Sequence, residues 1–172
     1  MSYDLILTAL DASSLQPIVF KQALETAKLH QAELKCLHCV EADINPLDTS
    51  AVPIVGIPVG ASALSPSSVD LQASQQALEA RLTKAKQWLQ EYCQAAEQQG
   101  VKASFEVIQG VAGNQVCDLA QEWQADLIIV GRHGRTGLTE FLLGSVSNHV
   151  LHHAHCSVLV VQGESAVSGE ST

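Results

Sequence analysis

The sequence predicts an α/β fold, a doubly wound parallel sheet with helices on both faces. Three observations carry that expectation. The runs "LIIV" (Leu127–Val130) and "VLVV" (Val158–Val161) are apolar throughout, as strands covered on both faces must be. Strand-like and helix-like stretches alternate along the chain, with five strands expected in all. Apolar residues make up 47% of the 172 residues, enough to build one real core and too many for a disordered chain.

The elements follow in order. "YDLILTAL" (Tyr3–Leu10) reads as a short buried strand ended by the turn "DASS". Ser13 or Ser14 is the expected cap of the next element. From Leu15 to His30, Ile18, Val19, Ala23, Leu24 and Ala27 recur at helical spacing. "ELKCLHCV" (Glu33–Val40) is the second strand. Residues 41–68 hold four prolines and two glycines and read as a long mobile insertion or lid. Asp70–Gln99 is one long helix with Leu71, Leu78, Leu82, Ala85, Leu89 and Tyr92 as its packing stripe, and Gly100 stops it. Lys102–Gln109 alternates Ala103, Phe105 and Val107 against polar neighbours, giving a third strand. Gly113 or Asn114 opens a helix to about Gln124. Ala125–Val130 is the fourth strand, and a glycine-rich loop and a helix to about His153 follow it. Cys156–Val161 is the fifth strand. Residues 1–162 thus form a single domain, and 163–172 form a polar, disordered tail.

Composition excludes several functions. The net charge is −9, with only nine Lys and Arg, so the basic stripe that a nucleic-acid backbone requires is missing. No apolar run approaches the roughly 18 residues that cross a bilayer, and the start lacks a basic n-region. The expectation is a cytoplasmic protein with no membrane partner. Five cysteines fit reduced thiols. Cys36 and Cys39 have C-x-x-C spacing, but three residues apart on a strand they face opposite ways and form neither a zinc clip nor a redox pair.

Chemistry gathers after the fourth strand, in "GRHGRTGLTEFLLGSVSNHV" (Gly131–Val150). There is no P-loop, and no G-x-G-x-x-G follows the first strand. Gly131 and Gly134 let the backbone approach a ligand or take positive φ. Gly144 and Ser145 lie where a helix begins, and its N-terminal turn offers N–H groups to an anion. Ser145 and Ser147 add hydroxyl donors. Arg132 and Arg135 are placed to neutralise phosphate or to stay solvated, and His133 either touches phosphate or faces water. Asp11, ending the first strand, is placed to contact a ribose or base, and with a triphosphate it would help to hold Mg²⁺. In open α/β sheets such loops form the ligand crevice where strand order reverses. The bland alternative is a turn that only reverses the chain. His149 and His153 share a helix face at metal-ligand spacing but lack further ligands, so no metal site is expected.

These residues resemble a known family. Gly131-x2-Gly134-x9-Gly144-Ser145 is similar to the G-2x-G-9x-G-[S/T] ATP-binding signature of the universal stress proteins. "LTALDASS" and "ADLIIVGRHGRTGLTEFLLGSVSNHVLHHAHCSVLVV" resemble the opening and closing units of that family, and the likeness covers nearly the whole chain. It implies five parallel strands in order 3-2-1-4-5, a homodimer paired through the last strand, and bound ATP or AMP. By position, Asp11 would face adenosine and Val40 would meet adenine through its main chain. Gly131 and Gly134 would border ribose and phosphate, with Gly144, Ser145, Val146 and Ser147 on the phosphates. The string "HAHCSV" departs from the proline-bearing form common in the family, just before the dimer strand. The functional expectation is a nucleotide-responsive regulatory module with an unknown protein partner. A slow ATP hydrolase or autophosphorylating phosphotransferase is the alternative, and it lacks an evident general base.

Overall fold

A computed structural model describes residues 2–41, 68–132 and 143–163. Five strands, β1 (Leu5–Ala9), β2 (Glu33–Val40), β3 (Ala103–Gln109), β4 (Leu127–Gly131) and β5 (Ser157–Val161), alternate with four helices. The helices are α1 (Gln16–His30), α2 (Ser68–Gln98), α3 (Ala112–Glu122) and α4 (Ser145–His153). All strand pairs are parallel, in the order β3-β2-β1-β4-β5. The expected α/β class and strand order are therefore both present. The chain order reverses between β1 and β4, at the centre of the sheet.

Two cores explain the continuous apolar strands. Ile6, Leu34, Leu127 and Ile129 pack under α1 and α2, against Val19, Phe20, Ala23, Leu89, Cys93 and Ala96. Their strand neighbours Leu7, Leu37, Ile128 and Val130 point the other way, onto Val116, Leu119 and Ala120 of α3 and Val150 of α4. Consecutive strand residues thus serve opposite layers, and neither face can be polar. Cys36 lies in the first core and Cys39 packs on the second, so the two thiols do face apart.

The boundaries differ in instructive ways. Leu15, not Ser13 or Ser14, occupies the N-cap of α1, and no side chain caps it. The Ser13 hydroxyl is drawn instead to Asp11 Oδ1, at 2.5 Å, and accepts the Leu15 N–H at 3.2 Å. β1 is shorter than expected because pairing with β2 stops at Ala9↔Leu37. β4 runs one residue further, to Gly131, which pairs with Val161. In β3 the alternation marks two faces, yet residues 103–108 are all half-buried, since β3 is an edge strand. Helix α2 buries Ala85, Leu89, Cys93 and Ala96, whereas residues 72–77 are exposed throughout. The insertion expected over 41–68 and the tail over 163–172 lie almost wholly outside the described residues.

Candidate functional site

The C-terminal edge of the sheet is where the chain leaves β1 and β4 in opposite directions. Here Gly131 is pressed from two sides. A Cβ at Gly131 would lie 2.9 Å from Val19 Cγ2 and 3.0 Å from Leu15 Cδ2, so the first turn of α1 rests directly on its backbone. The Ser147 hydroxyl of α4 donates to the Gly131 carbonyl at 2.7 Å. Two helix starts therefore meet the end of β4, one from each face of the sheet.

The two starts differ: in α1 the Gln16 and Ile18 N–H groups bond the Ser13 and Leu15 carbonyls at 3.2 and 3.0 Å and Pro17 has no N–H, whereas the start of α4 is open. Neither α1 nor α4 has an acidic residue in its first turn or a side-chain cap. In α4 the first intrahelical bond runs from Asn148 N–H to the Gly144 carbonyl, at 2.9 Å. The N–H groups of Ser145, Val146 and Ser147 thus have no intrahelical acceptor. An anion supplies what such an end lacks, both hydrogen-bond acceptors and negative charge.

The individual residues fall as follows. Gly144 is the N-cap of α4 in extended conformation (φ −61°, ψ 157°), and the helix begins at Ser145 as expected. The positive-φ option does not apply at Gly131, because the described glycines with positive φ are Gly100 and Gly110. Ser147 is 1% exposed, and its single hydroxyl proton is committed to Gly131, so its part here is to tie α4 to β4. Val146 packs against the second core while its N–H stays at the helix start. The Arg132 N–H bonds the Val161 carbonyl at 2.7 Å, which extends the β4–β5 pairing past Gly131. Gly134, together with His133 and Arg135, lies outside the described residues.

On the β1 side, Asp11 Oδ1 accepts the Ser13 N–H at 3.3 Å as well as its hydroxyl, forming an Asx turn. Val40 is 2% exposed, and its carbonyl accepts the Gly110 N–H at 3.1 Å, with a second lone pair remaining. Its neighbour Cys39 is a thiol pushed up to about 11 by burial and by the nearby Glu41 carboxylate. That thiol is an inert wall at neutral pH. The structure thus brings Gly131, Gly144 and Ser145–Ser147 into one junction, with Asp11 and Val40 at the ends of the adjoining strands. Sequence reading missed two contributors. Leu15 seats α1 on Gly131, and His38 places Nδ1 2.7 Å from the Leu10 carbonyl, immediately before Asp11. A histidine inside a strand buried on both faces was the available signal, masked by the two cysteines around it.

Other polar groups are occupied elsewhere. His149 and His153 stack at 4.1 Å with 13° between their planes, and His153 donates from Nδ1 to the His149 carbonyl at 2.8 Å. Among the described residues no three metal-ligating side chains gather. An open depression of about 800 Å³ lies at the opposite edge of the sheet, around Tyr3, Gln124, Asp126 and His155. Its carboxylate, Asp126, accepts the backbone N–H groups of Asp4 and Leu5 at 2.8 and 2.9 Å and so pins β1 to β4. No helix among the described residues is long and apolar enough to cross a membrane.

A five-stranded parallel sheet in the order β3-β2-β1-β4-β5, covered by helices on both faces, defines the class, a doubly wound α/β domain. The family model of the universal stress protein family matches residues 2–162. The chain belongs to the universal stress protein family. A universal stress protein of Synechocystis sp. is 37% identical over 162 residues, covering 94% of this chain and 99% of that protein. The universal stress protein UspA from Lactobacillus plantarum has the same fold, with a TM-score of 0.71 at 24% identity over 94% of this chain and 99% of that one. The universal stress protein from Archaeoglobus fulgidus, solved in complex with dAMP, matches with a TM-score of 0.56 at 18% identity over 93% of this chain and 98% of its own.

Proposed function

We propose that this chain binds an adenine nucleotide, ATP or AMP, at the C-terminal edge of β1 and β4 and serves as a nucleotide-responsive regulatory module. The observation that carries this reading is the start of α4. Three first-turn N–H groups lack intrahelical acceptors there, the first turn holds no acid and no side-chain cap among the described residues, and the glycine-rich loop leads into them in sequence. A relative of the same fold in complex with dAMP supports the ligand class.

In this reading Ser145, Val146 and Ser147 hold phosphate through their backbone N–H groups, and the Ser145 hydroxyl adds a donor. Gly131, Arg132 and Gly134 border ribose and phosphate, and Gly144 lets the ligand approach the helix start. Asp11 faces the nucleoside, and with ATP it sits where Mg²⁺ would need an oxygen ligand. Val40 meets adenine through the second lone pair of its carbonyl. The protein acts in the cytoplasm on a protein partner of unknown identity. Two copies pair through β5, an edge strand whose Val158, Leu159 and Val160 are only half-buried.

Native mass spectrometry of the purified protein tests the ligand and the assembly together. The expected species is a dimer that carries adenine nucleotide. Gly134→Val is expected to lower ATP and AMP affinity by at least tenfold and to keep the dimer mass. Equal nucleotide binding by both proteins, or binding by neither, overturns the site. Nucleotide that turns over with Mg²⁺ present would favour the slow hydrolase instead.

A further inference from the structure

His38 lies on the face of β2 covered by α1 and α2, where strand positions otherwise carry Leu34 and Cys36. Its Nδ1 stands 2.7 Å from the Leu10 carbonyl. A carbonyl oxygen only accepts, so the ring donates, and the proton sits on Nδ1. The Leu10 N–H bonds the Leu37 carbonyl at 2.8 Å. Both backbone groups of Leu10 are therefore held by consecutive residues of β2, although the β1–β2 register itself ends at Ala9↔Leu37. The held carbonyl shares its rigid plane with the Asp11 nitrogen. Fixing it fixes where Asp11 departs and where its Asx turn with Ser13 begins. The ring is steadied in turn by Trp88 of α2, edge-on at a centroid distance of 5.1 Å and 72° between planes.

We propose that His38 is a positioning residue of the nucleotide site, whose Nδ1–H sets the Leu10–Asp11 peptide and so aims the Asp11 carboxylate at the nucleoside. The inference rests on the reading that an adenine nucleotide occupies this edge. It adds a residue that touches no ligand, and it assigns a task to a polar ring in an apolar layer. Preorganisation of this kind governs affinity because the loop need not be ordered at the moment of binding.

Side-chain geometry gives a direct test. Asn carries its amide nitrogen at the position of Nδ1, Gln carries it at the reach of Nε2, and Leu fills the space with no donor. The measurements are AMP and ATP affinity by titration calorimetry, and backbone amide shifts of the ligand-free protein by NMR. His38→Leu is expected to weaken nucleotide binding about tenfold, the scale of one lost hydrogen bond. It should also displace the Asp11 and Ser13 amide signals without ligand. His38→Asn should restore both, and His38→Gln should not. A merely space-filling role would order the variants by urea stability, with Leu equal to Asn or better in affinity, and that result overturns the proposal. Unchanged Asp11 and Ser13 signals in His38→Leu overturn it as well. Absence of binding by the wild type sinks the nucleotide reading itself, which the amide shifts distinguish from failure of the positioning role.

Discussion

Gly131 shows how little room a site residue can have. Its missing side chain is required by α1, because a methyl there would meet Val19 and Leu15 at 2.9 and 3.0 Å. Both contacts come from side chains at the start of α1 packed on β4, so relief requires Leu15 and Val19 to turn aside or α1 to shift. Gly131→Ala is expected to destabilise the protein by about 1–3 kcal/mol, read as a lower urea midpoint. Leu15→Ala in the same chain should recover part of that loss, because the two positions share one contact. Strictly additive effects of the two changes would place the strain elsewhere. The glycine spacing of this loop was legible in the sequence, and so was the helix start at Ser145. The reason for Gly131 was not, because its partner Leu15 lies on a different helix far away in the chain. Ser147 is a similar case. Its hydroxyl suggests a phosphate donor until the fold places the Gly131 carbonyl 2.7 Å away.

Among the elements, three helices end in the same way. α1, α2 and α3 each give way to a left-handed residue, Gln31 (φ 57°), Gly100 (φ 82°) and Gln124 (φ 55°). In each case the next N–H reaches back five residues, from Ala32 to Ala27 at 2.9 Å, Val101 to Ala96 at 3.1 Å, and Ala125 to Ala120 at 2.8 Å. Only the second stop announces itself with glycine. A side chain in this conformation costs about 1–2 kcal/mol, partly offset by the greater freedom that glycine has in the unfolded chain. Gln31→Gly and Gln124→Gly are each expected to raise stability by about 0.5–1 kcal/mol in urea unfolding. A loss would mean that the glutamine side chains hold something in place. The same contrast explains what the pattern could deliver. β2 has the expected limits because both of its ends are marked by a change in hydropathy. The cap of α1 falls at Leu15 rather than at Ser13 because Asp11, two residues earlier, draws the Ser13 hydroxyl into a local Asx turn, a competition that residue type alone does not decide. Strand order came from family resemblance, because periodicity assigns faces and says nothing about neighbours.

At the scale of the molecule, covering the sheet on both sides shelters its thiols. Hydrogen bonding with Cys93, then burial, raises Cys36 well above the ordinary thiol value. Burial raises Cys39 to about 11, and it also raises Cys117 and Cys156. Cys93 alone moves down, through its hydrogen bond with Cys36. Above the ordinary thiol value the unfolded chain sheds protons that the folded chain keeps, so it binds fewer, and stability must fall as pH rises. For Cys39 the effect is complete at neutral pH and is lost as pH rises from the ordinary thiol value toward about 11, with a slope of up to about 1.4 kcal/mol per pH unit. Urea midpoints measured from pH 7 to pH 10.5 should fall over the upper part of that range, and Cys39→Ala should flatten the fall. A flat profile in the wild type would mean that these thiols titrate normally in the native state. Helix α2 also acts on this scale. Its 31 residues give a rod of about 46 Å, and among its described side chains the buried ones, Ala85, Leu89, Cys93 and Ala96, lie in its C-terminal half. Mechanically it is a lever with its fulcrum near Leu89. A tilt of only about 5° there would swing the start of the rod, about 30 Å away, through about 3 Å. Trp88, adjacent to the fulcrum, touches the ring that holds the Leu10–Asp11 peptide. Displacements too small to see beside the sheet edge would thus reappear enlarged at the far end of the rod.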